Sequence, residues 1–282
     1  MELGKSEIAT LSRFFRDENK LLLASKGKLR QWLEQHFDLY HNGKHFVFDP
    51  VSKETLRREI ERSYPRLNLL AGLASGQDRV AIIAQSNNDK LADSKPNDKY
   101  VLAKCLAKFE LDGQRLMLPL GTSVRLLVER IDLSQFSSIV VVENLDVFDK
   151  WHLVSLQDNN DSLVVYRGHD QATAKGLKYL LSQLPLDIEV IMFPDLDPKG
   201  LEISFTTPRI NRVLAPKISD IHNVLRPYSQ PEVFLQQHSA VAFLSQQHSP
   251  RWQELVTIVK THKLAVMQQV FIALNIPLVC YK

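Results

Sequence analysis

Apolar side chains recur at helical spacing near the start of the chain, at Ile8, Leu11, Phe14 and Phe15 and again at Leu29, Trp32, Leu33 and Phe37. Positions three or four apart share one helix face, so these sets predict two amphipathic helices, the second beginning near Lys26. DLYHNGKHFVF then alternates about Asn42-Gly43, the pair that tight hairpin turns favour. After Asp49-Pro50 the charged run SKETLRREIERSY predicts a third helix with Ser52 as its N-cap. Helices with a small hairpin suggest a winged-helix-like module over residues 1–78, the hairpin serving as wing.

The pattern then loosens. NLLAGLASGQDR has the small residues of a connector, RVAIIA suits a short strand, and SNNDKLADSKPNDK is a polar loop, which puts a domain boundary between 75 and 98. YVLAKCLAKFELDGQRLMLPLG predicts strands turning at Asp112-Gly113, so residues 79–136 form a connecting β-rich segment. From Ser137 strands and helices alternate. SSIVVV ends at Glu143, DSLVVYRG ends at Arg167-Gly168, and IEVIMF ends just before Asp195 and Asp197. Between the last two, Ala174, Leu177, Leu180, Leu181 and Leu184 mark a helix that Asp170 caps and Pro185 stops, and KGLEISF starts another. Such alternation predicts an α/β fold, a parallel sheet flanked by helices with right-handed crossovers over residues 137–282. The last third adds C-terminal helices: PEVFLQQHSAVAFLSQQ and the longer segment over 251–275 have helical apolar spacing, Ser249-Pro250 suits a helix start, and IPLVCY suits a closing strand.

Composition changes this picture little. The chain has 282 residues, 44% of them hydrophobic, enough for two domains with a sizeable core. No stretch approaches the roughly 20 apolar residues that span a bilayer, and MELGKSEIATLSRFF lacks an apolar signal region, so the expected location is the cytoplasm, away from any membrane. Cys105 and Cys280 form no metal motif and suit small buried hydrophobes. The histidines show no zinc spacing. A net charge of +3 permits nucleic-acid binding without arguing for it.

Clustering is more informative. Lys26, Lys28, Arg30, Lys44, Lys53, Arg57, Arg58 and Arg62 gather in the first module. On a winged helix, such residues could contact DNA phosphates, with Lys26, Lys28, Arg30, Lys44 and Arg57 as the leading set. Lys26, Lys28 and Arg30 stand at a helix start, where the dipole disfavours cations, which favours a phosphate role. The third helix interleaves Glu54, Glu59 and Glu61, so its arginines equally suit a solvated, ion-paired face.

The sharpest chemistry lies at the strand ends. Parallel strands point their carboxyl ends one way, so Glu143, the Gly168 loop and the Asp195/Asp197 pair share one edge of the sheet. Ligands of open α/β sheets bind at that edge. Crowded carboxylates repel, and a hard divalent cation with oxygen ligands relieves the repulsion. Such a metal, Mg²⁺ or Mn²⁺, polarises a phosphoryl oxygen or activates water. Lys199 follows the acids and could stabilise transition-state charge. Arg167 and His169 flank Gly168 and would face bound phosphate. The alternative is a surface loop with two solvated aspartates ahead of a proline turn.

VVVEN (residues 140–144), VVYRG (164–168) and FPDLDPKGLEI (193–203) together resemble a Toprim domain. The likeness is greatest to the version in the A subunit of type IIB topoisomerases and in the nuclease subunit of Wadjet- and Mks-type SMC systems. It covers roughly residues 80–205 by motif and the first module by architecture alone. The resemblance implies that Glu143, Asp195 and Asp197 bind Mg²⁺, that Gly200 is the glycine following the D-x-D-P turn, and that the chain acts on DNA phosphodiesters. It further implies SMC, kleisin and kite-type partners in anti-plasmid defence, and a homodimer that cuts both strands of double-stranded DNA. A topoisomerase needs a nucleophilic tyrosine; Tyr40 and Tyr64 lack its context and suit packing. The expected function is therefore a Mg²⁺-dependent DNA endonuclease, with catalytic residues Glu143, Asp195, Asp197 and Lys199. The alternatives are a topoisomerase-like strand-cleaving subunit and a non-catalytic DNA-binding assembly subunit. MQQVF (267–271) departs from the nucleases by carrying Gln268 and Gln269 where they have a glutamate-containing segment.

Overall fold

The computed structural model describes residues 3–24, 26–65, 67–71, 97–106, 109–156, 162–168, 171–247, 249 and 251–282. The chain divides into two compact units, Met1–Pro96 and Asn97–Lys282. The connector, strand and loop expected between residues 72 and 96, and the cap expected at Asp170, lie outside the described residues.

In the first unit the helical spacing holds. Helix α1 (Lys5–Arg16) buries Ile8, Leu11, Phe14 and Phe15, and α2 (Gly27–His36) buries Leu29, Trp32 and Leu33. Helix α3 (Pro50–Ser63) starts one turn earlier than the hydroxyl signal indicated. Its N-cap is Asp49, whose Oδ1 accepts the N–H groups of Val51 and Ser52, both at 2.8 Å. Ser52 instead sits at the third helical position and its hydroxyl accepts the Asp49 N–H, so Pro50 takes the first position, where no donor is needed. The hairpin forms about Asn42, whose Oδ1 accepts the N–H groups of Lys44 and His45. Its second arm, β2 (His45–Val47), pairs antiparallel with β1 (Leu22–Ala24). Lys53 belongs to the interior. Its Nζ donates to the carbonyls of Asp17, Glu18 and Lys20 just beyond α1. Tyr64 is buried and its hydroxyl accepts the Leu3 N–H, whereas Tyr40 is 73% exposed and so packs against little, contrary to the reading of both as packing residues.

The second unit is built on a seven-stranded sheet in the order β11-β10-β9-β7-β8-β3-β6. Four central strands are parallel: β7 (Ser138–Val142), β8 (Ser162–Tyr166), β9 (Glu189–Phe193) and β10 (Arg212–Pro216). β7 and β8 are buried along their whole length, which explains their unbroken apolar sequence. The sheet is mixed, not purely parallel. β3 (Tyr100–Lys104) runs antiparallel to β8, β6 (Val124–Leu127) antiparallel to β3, and β11 (Leu278–Tyr281) antiparallel to β10. Residues 100–127 thus contribute two strands to this sheet, along with the separate hairpin β4 (Phe109–Leu111) and β5 (Gln114–Leu116). That hairpin turns at Asp112 and Gly113, both at positive φ, as a type I′ turn requires.

The path through the parallel strands positions the site. From β7 the chain passes through α4 (Leu145–Asp149) to β8 on one side. It returns through α5 (Gln171–Gln183) to β9 on the other side of β7, and α6 (Pro198–Thr206) leads on to β10. The winding direction therefore reverses between β7 and β9. In open α/β sheets such a reversal is where ligands bind, at the carboxyl ends of the two strands.

The last third packs α7 (Pro231–Gln236), α8 (His238–Ser245), α9 (Gln253–His262) and α10 (Gln268–Ala273) before β11. The segment 251–275, helical by its apolar spacing, forms two helices. Lys263 adopts a left-handed conformation at φ 51°, ending α9, and residues 264–267 run extended before α10 begins.

Candidate functional site

Glu143 directly follows β7 and donates its backbone N–H to the Phe193 carbonyl at 3.1 Å, the last direct bond between β7 and β9. Its side chain is 14% exposed. Oε2 accepts the Asp195 N–H at 3.3 Å, and Oε1 lies 3.5 Å from Nη2 of Arg167, at the end of β8. Burial pushes the Glu143 carboxyl up to about 7, opposed by the Arg167 charge and reinforced by Asp195 and Asp197. Asp195 is pushed up to about 6, again chiefly by burial, against the pull of the Gln268 N–H. These two acids flank the switch point, one on each strand.

The loop carrying Asp195 and Asp197 is clamped from below. Leu196 exchanges backbone hydrogen bonds with Val266, at 2.9 and 3.1 Å, and its side chain is buried. Leu196 thereby extends the strand alternation past β9 and separates the two aspartates from the core. Asp195 Oδ1 accepts the Gln268 N–H at 2.8 Å. Asp197 caps α6: Oδ1 accepts the Gly200 N–H and Oδ2 accepts Nε2 of Gln237, both at 2.7 Å. Glycine is required at position 200 for space, since a Cβ there would stand 2.3 Å from the Asp195 carbonyl oxygen.

Other expected residues divide by location. Arg167 joins the acids, three-quarters buried beside Glu143. Lys199 lies in the first turn of α6 but is exposed, and its Nζ pairs with Glu202 at 2.6 Å. His169 lies outside the described residues. In the first unit Lys26, Lys28 and Lys44 are exposed. Arg30 pairs with Glu34 at 2.8 Å, and Arg57 with Glu61 at 3.2 Å and Glu54 at 3.7 Å, so both are partly neutralised on their own helices.

Gln237 and Gln268 support the acids without any acidic or basic character of their own. Gln268 stood out in the sequence only for not being acidic. A positive signal was available: helical spacing puts Gln268 on the face of Phe271, the buried side of α10.

Among the described residues, no group of three or more His, Cys, Asp or Glu side chains is gathered tightly enough to hold a metal ion as the side chains lie. Two of the acids have the chemistry for one. Glu143 and Asp195 are desolvated carboxylates driven towards neutrality, and a hard cation would restore their charged form. Mg²⁺ is commonly held by one or two carboxylates, with water and phosphate oxygens completing its shell. Asp197 has hydrogen bonds on both oxygens, each leaving a lone pair for a further ligand.

Residues 98–280 match the model of a family described only as a domain of unknown function, DUF7281. No curated protein matches the chain.

Proposed function

For this chain, which belongs to the DUF7281 family, we propose the activity of a divalent-metal-dependent DNA endonuclease of Toprim type. The observation that carries this reading is the buried pair Glu143 and Asp195 across the switch point, with the Arg167 guanidinium beside it. Buried acids close together at the ligand-binding edge of an α/β sheet are costly to stability and useful to chemistry. The motifs that resemble Toprim domains fall on these same strand ends. A bound Mg²⁺ would supply polarisation of a phosphoryl oxygen and activation of water.

The remaining roles follow from the chain. Glu143, titrating near neutrality, can accept or return a proton close to working pH. Arg167 offsets the acids and offers a fork of donors to a phosphate oxygen. Asp197 holds the turn into α6, and its free lone pairs leave it available as a third ligand. Lys199, paired outward with Glu202, is available to a phosphate that displaces the glutamate. The exposed Lys26, Lys28 and Lys44 would hold duplex DNA through its phosphates, with the first unit acting as a winged-helix-like module. SMC, kleisin and kite-type proteins are the proposed partners, and a homodimer the proposed form for cutting both strands.

The test is cleavage of supercoiled plasmid with Mg²⁺ or Mn²⁺. The wild-type chain should nick or linearise the plasmid and lose this activity in chelator. Glu143→Gln and Asp195→Asn should each cut at least about 100-fold more slowly. Cutting by the double variant at the wild-type rate would remove the assignment.

A further inference from the structure

We propose that Gln268 is the positioning residue of the acid pair: its side-chain amide ties the turn after β7 to the end of β9, and its backbone N–H orients Asp195, so that the two acids are held to take a cation. The proposal rests on the metal reading above. Gln268 is fully buried, at 0% exposure, in a chain where few polar side chains are. A buried primary amide must satisfy both its ends, and this one does so on two different strands. Oε1 accepts the Asn144 N–H at 3.0 Å, just past β7, and Nε2 donates to the Phe193 carbonyl at the end of β9.

That placement has a geometric consequence. The ladder between β7 and β9 runs from Ser138 to Val142 and closes with the Glu143 N–H on Phe193. Successive N–H groups of a strand face opposite sides, so the next donor, the Asn144 N–H, does not extend this ladder and meets the glutamine Oε1 instead. Gln268 therefore ties the turn that follows β7 to the carbonyl that ends the β7–β9 ladder, beside Glu143 and Asp195. The same residue then donates its backbone N–H to Asp195 Oδ1, which fixes the orientation of one of the two carboxylates. An amide is the side chain that suits this position, since a carboxylate cannot donate to Phe193 and an apolar group leaves the Asn144 N–H without a partner.

The experiment is calorimetric titration of Mn²⁺ into the full chain, alongside thermal melts in chelator. Gln268→Met keeps the volume and removes both side-chain bonds. Gln268→Asn keeps the amide but is one methylene too short to reach both strands, and it serves if the methionine variant does not fold. Either variant should bind Mn²⁺ about 10- to 100-fold more weakly than wild type, the usual effect of losing a group that orients metal ligands. If the variant melts lower but binds Mn²⁺ as tightly as wild type, Gln268 is a packing residue and the proposal fails while the metal reading stands. If wild type binds no Mn²⁺, or Asp195→Asn binds it equally well, the metal reading fails and this proposal falls with it.

Discussion

Replacing Glu143 with glutamine should stabilise the metal-free protein at alkaline pH, although it removes the residue proposed to matter most for activity. Folding moves the Glu143 carboxyl from its ordinary 4.5 up to about 7, with burial as the main cause. A carboxyl whose pKa rises on folding binds protons more tightly in the folded state. Stability is therefore greatest below pH 4.5 as far as this group is concerned, falls between 4.5 and 7, and stays low above 7. At 1.36 kcal/mol for each pH unit between the two values, the loss is on the order of 3 kcal/mol. Glutamine carries no charge to desolvate and should escape most of it, since the value of about 7 is already net of the Arg167 attraction. For a unit of this size each kcal/mol shifts the melting temperature by roughly 2–4 °C. Scanning fluorimetry in chelator should then show Glu143→Gln melting about 3–8 °C above wild type at pH 8, with the gain absent at pH 4.5. Mg²⁺ should raise the wild-type melting temperature at pH 8 and leave the variant's unchanged. A variant that melts below wild type at pH 8 would refute the reasoning, because Glu143 would then contribute to stability through its charge.

Other sites give further tests. Gly200→Ala forces a methyl group to 2.3 Å from the Asp195 carbonyl oxygen and should cost about 1–3 kcal/mol by chemical denaturation, with loss of Mn²⁺ binding because the same turn carries both aspartates. Lys53→Met removes the donor shared by three carbonyls beyond α1 and should lower the stability of the first unit by about 1–3 kcal/mol, a larger effect than Lys28→Met on the surface. If the first unit holds DNA, changing Lys26, Lys28 and Lys44 together to alanine should weaken binding irrespective of sequence and flatten the dependence of log affinity on log salt by up to about 3, as fluorescence anisotropy would show. Arg57→Ala, already ion-paired to Glu54 and Glu61, should change that slope little.

The chain made its central strands legible because they are buried on both faces. Residues 138–142 and 162–166 carry unbroken apolar sequence for the physical reason that no side of them meets water. The strands at the margins gave a weaker signal. β10 follows a short helix and reads RVLAP, too brief to separate from a loop by periodicity, and its pairing with the terminal strand β11 joins residues more than sixty positions apart. Antiparallel edges on a parallel centre arise from such distant pairings, which local pattern does not contain. At α3 the competing signals are local. Asp49 and Ser52 are both good caps, and the proline between them selects Asp49 by occupying the first helical position.

The acids were legible for the same reason as the strands, since a polar residue that ends a buried run stands out. Their supports were not, because these come from the far end of the chain. Gln268 reaches Asp195 only because the chain stops being helical at Lys263 and runs extended through Val266, which pairs with Leu196. The apolar spacing of residues 264–271 suits a continuous helix equally well, and no local feature favours the break. What favours it is distant. The Leu196 N–H and carbonyl lie beyond the last strand pairing of β9 and would otherwise be buried without partners. The extended stretch supplies those partners and in doing so delivers the Gln268 amide to the switch point. The loop of aspartates thus dictates the break in the C-terminal helix, and the break in turn completes the surroundings of the aspartates. If this order of causes is right, a variant that favours helix over 263–267, such as Lys263→Ala with Val266→Ala, should raise helical content in circular dichroism and weaken Mn²⁺ binding together. A gain in helicity with unchanged Mn²⁺ affinity would show that the site holds its geometry without the C-terminal clamp.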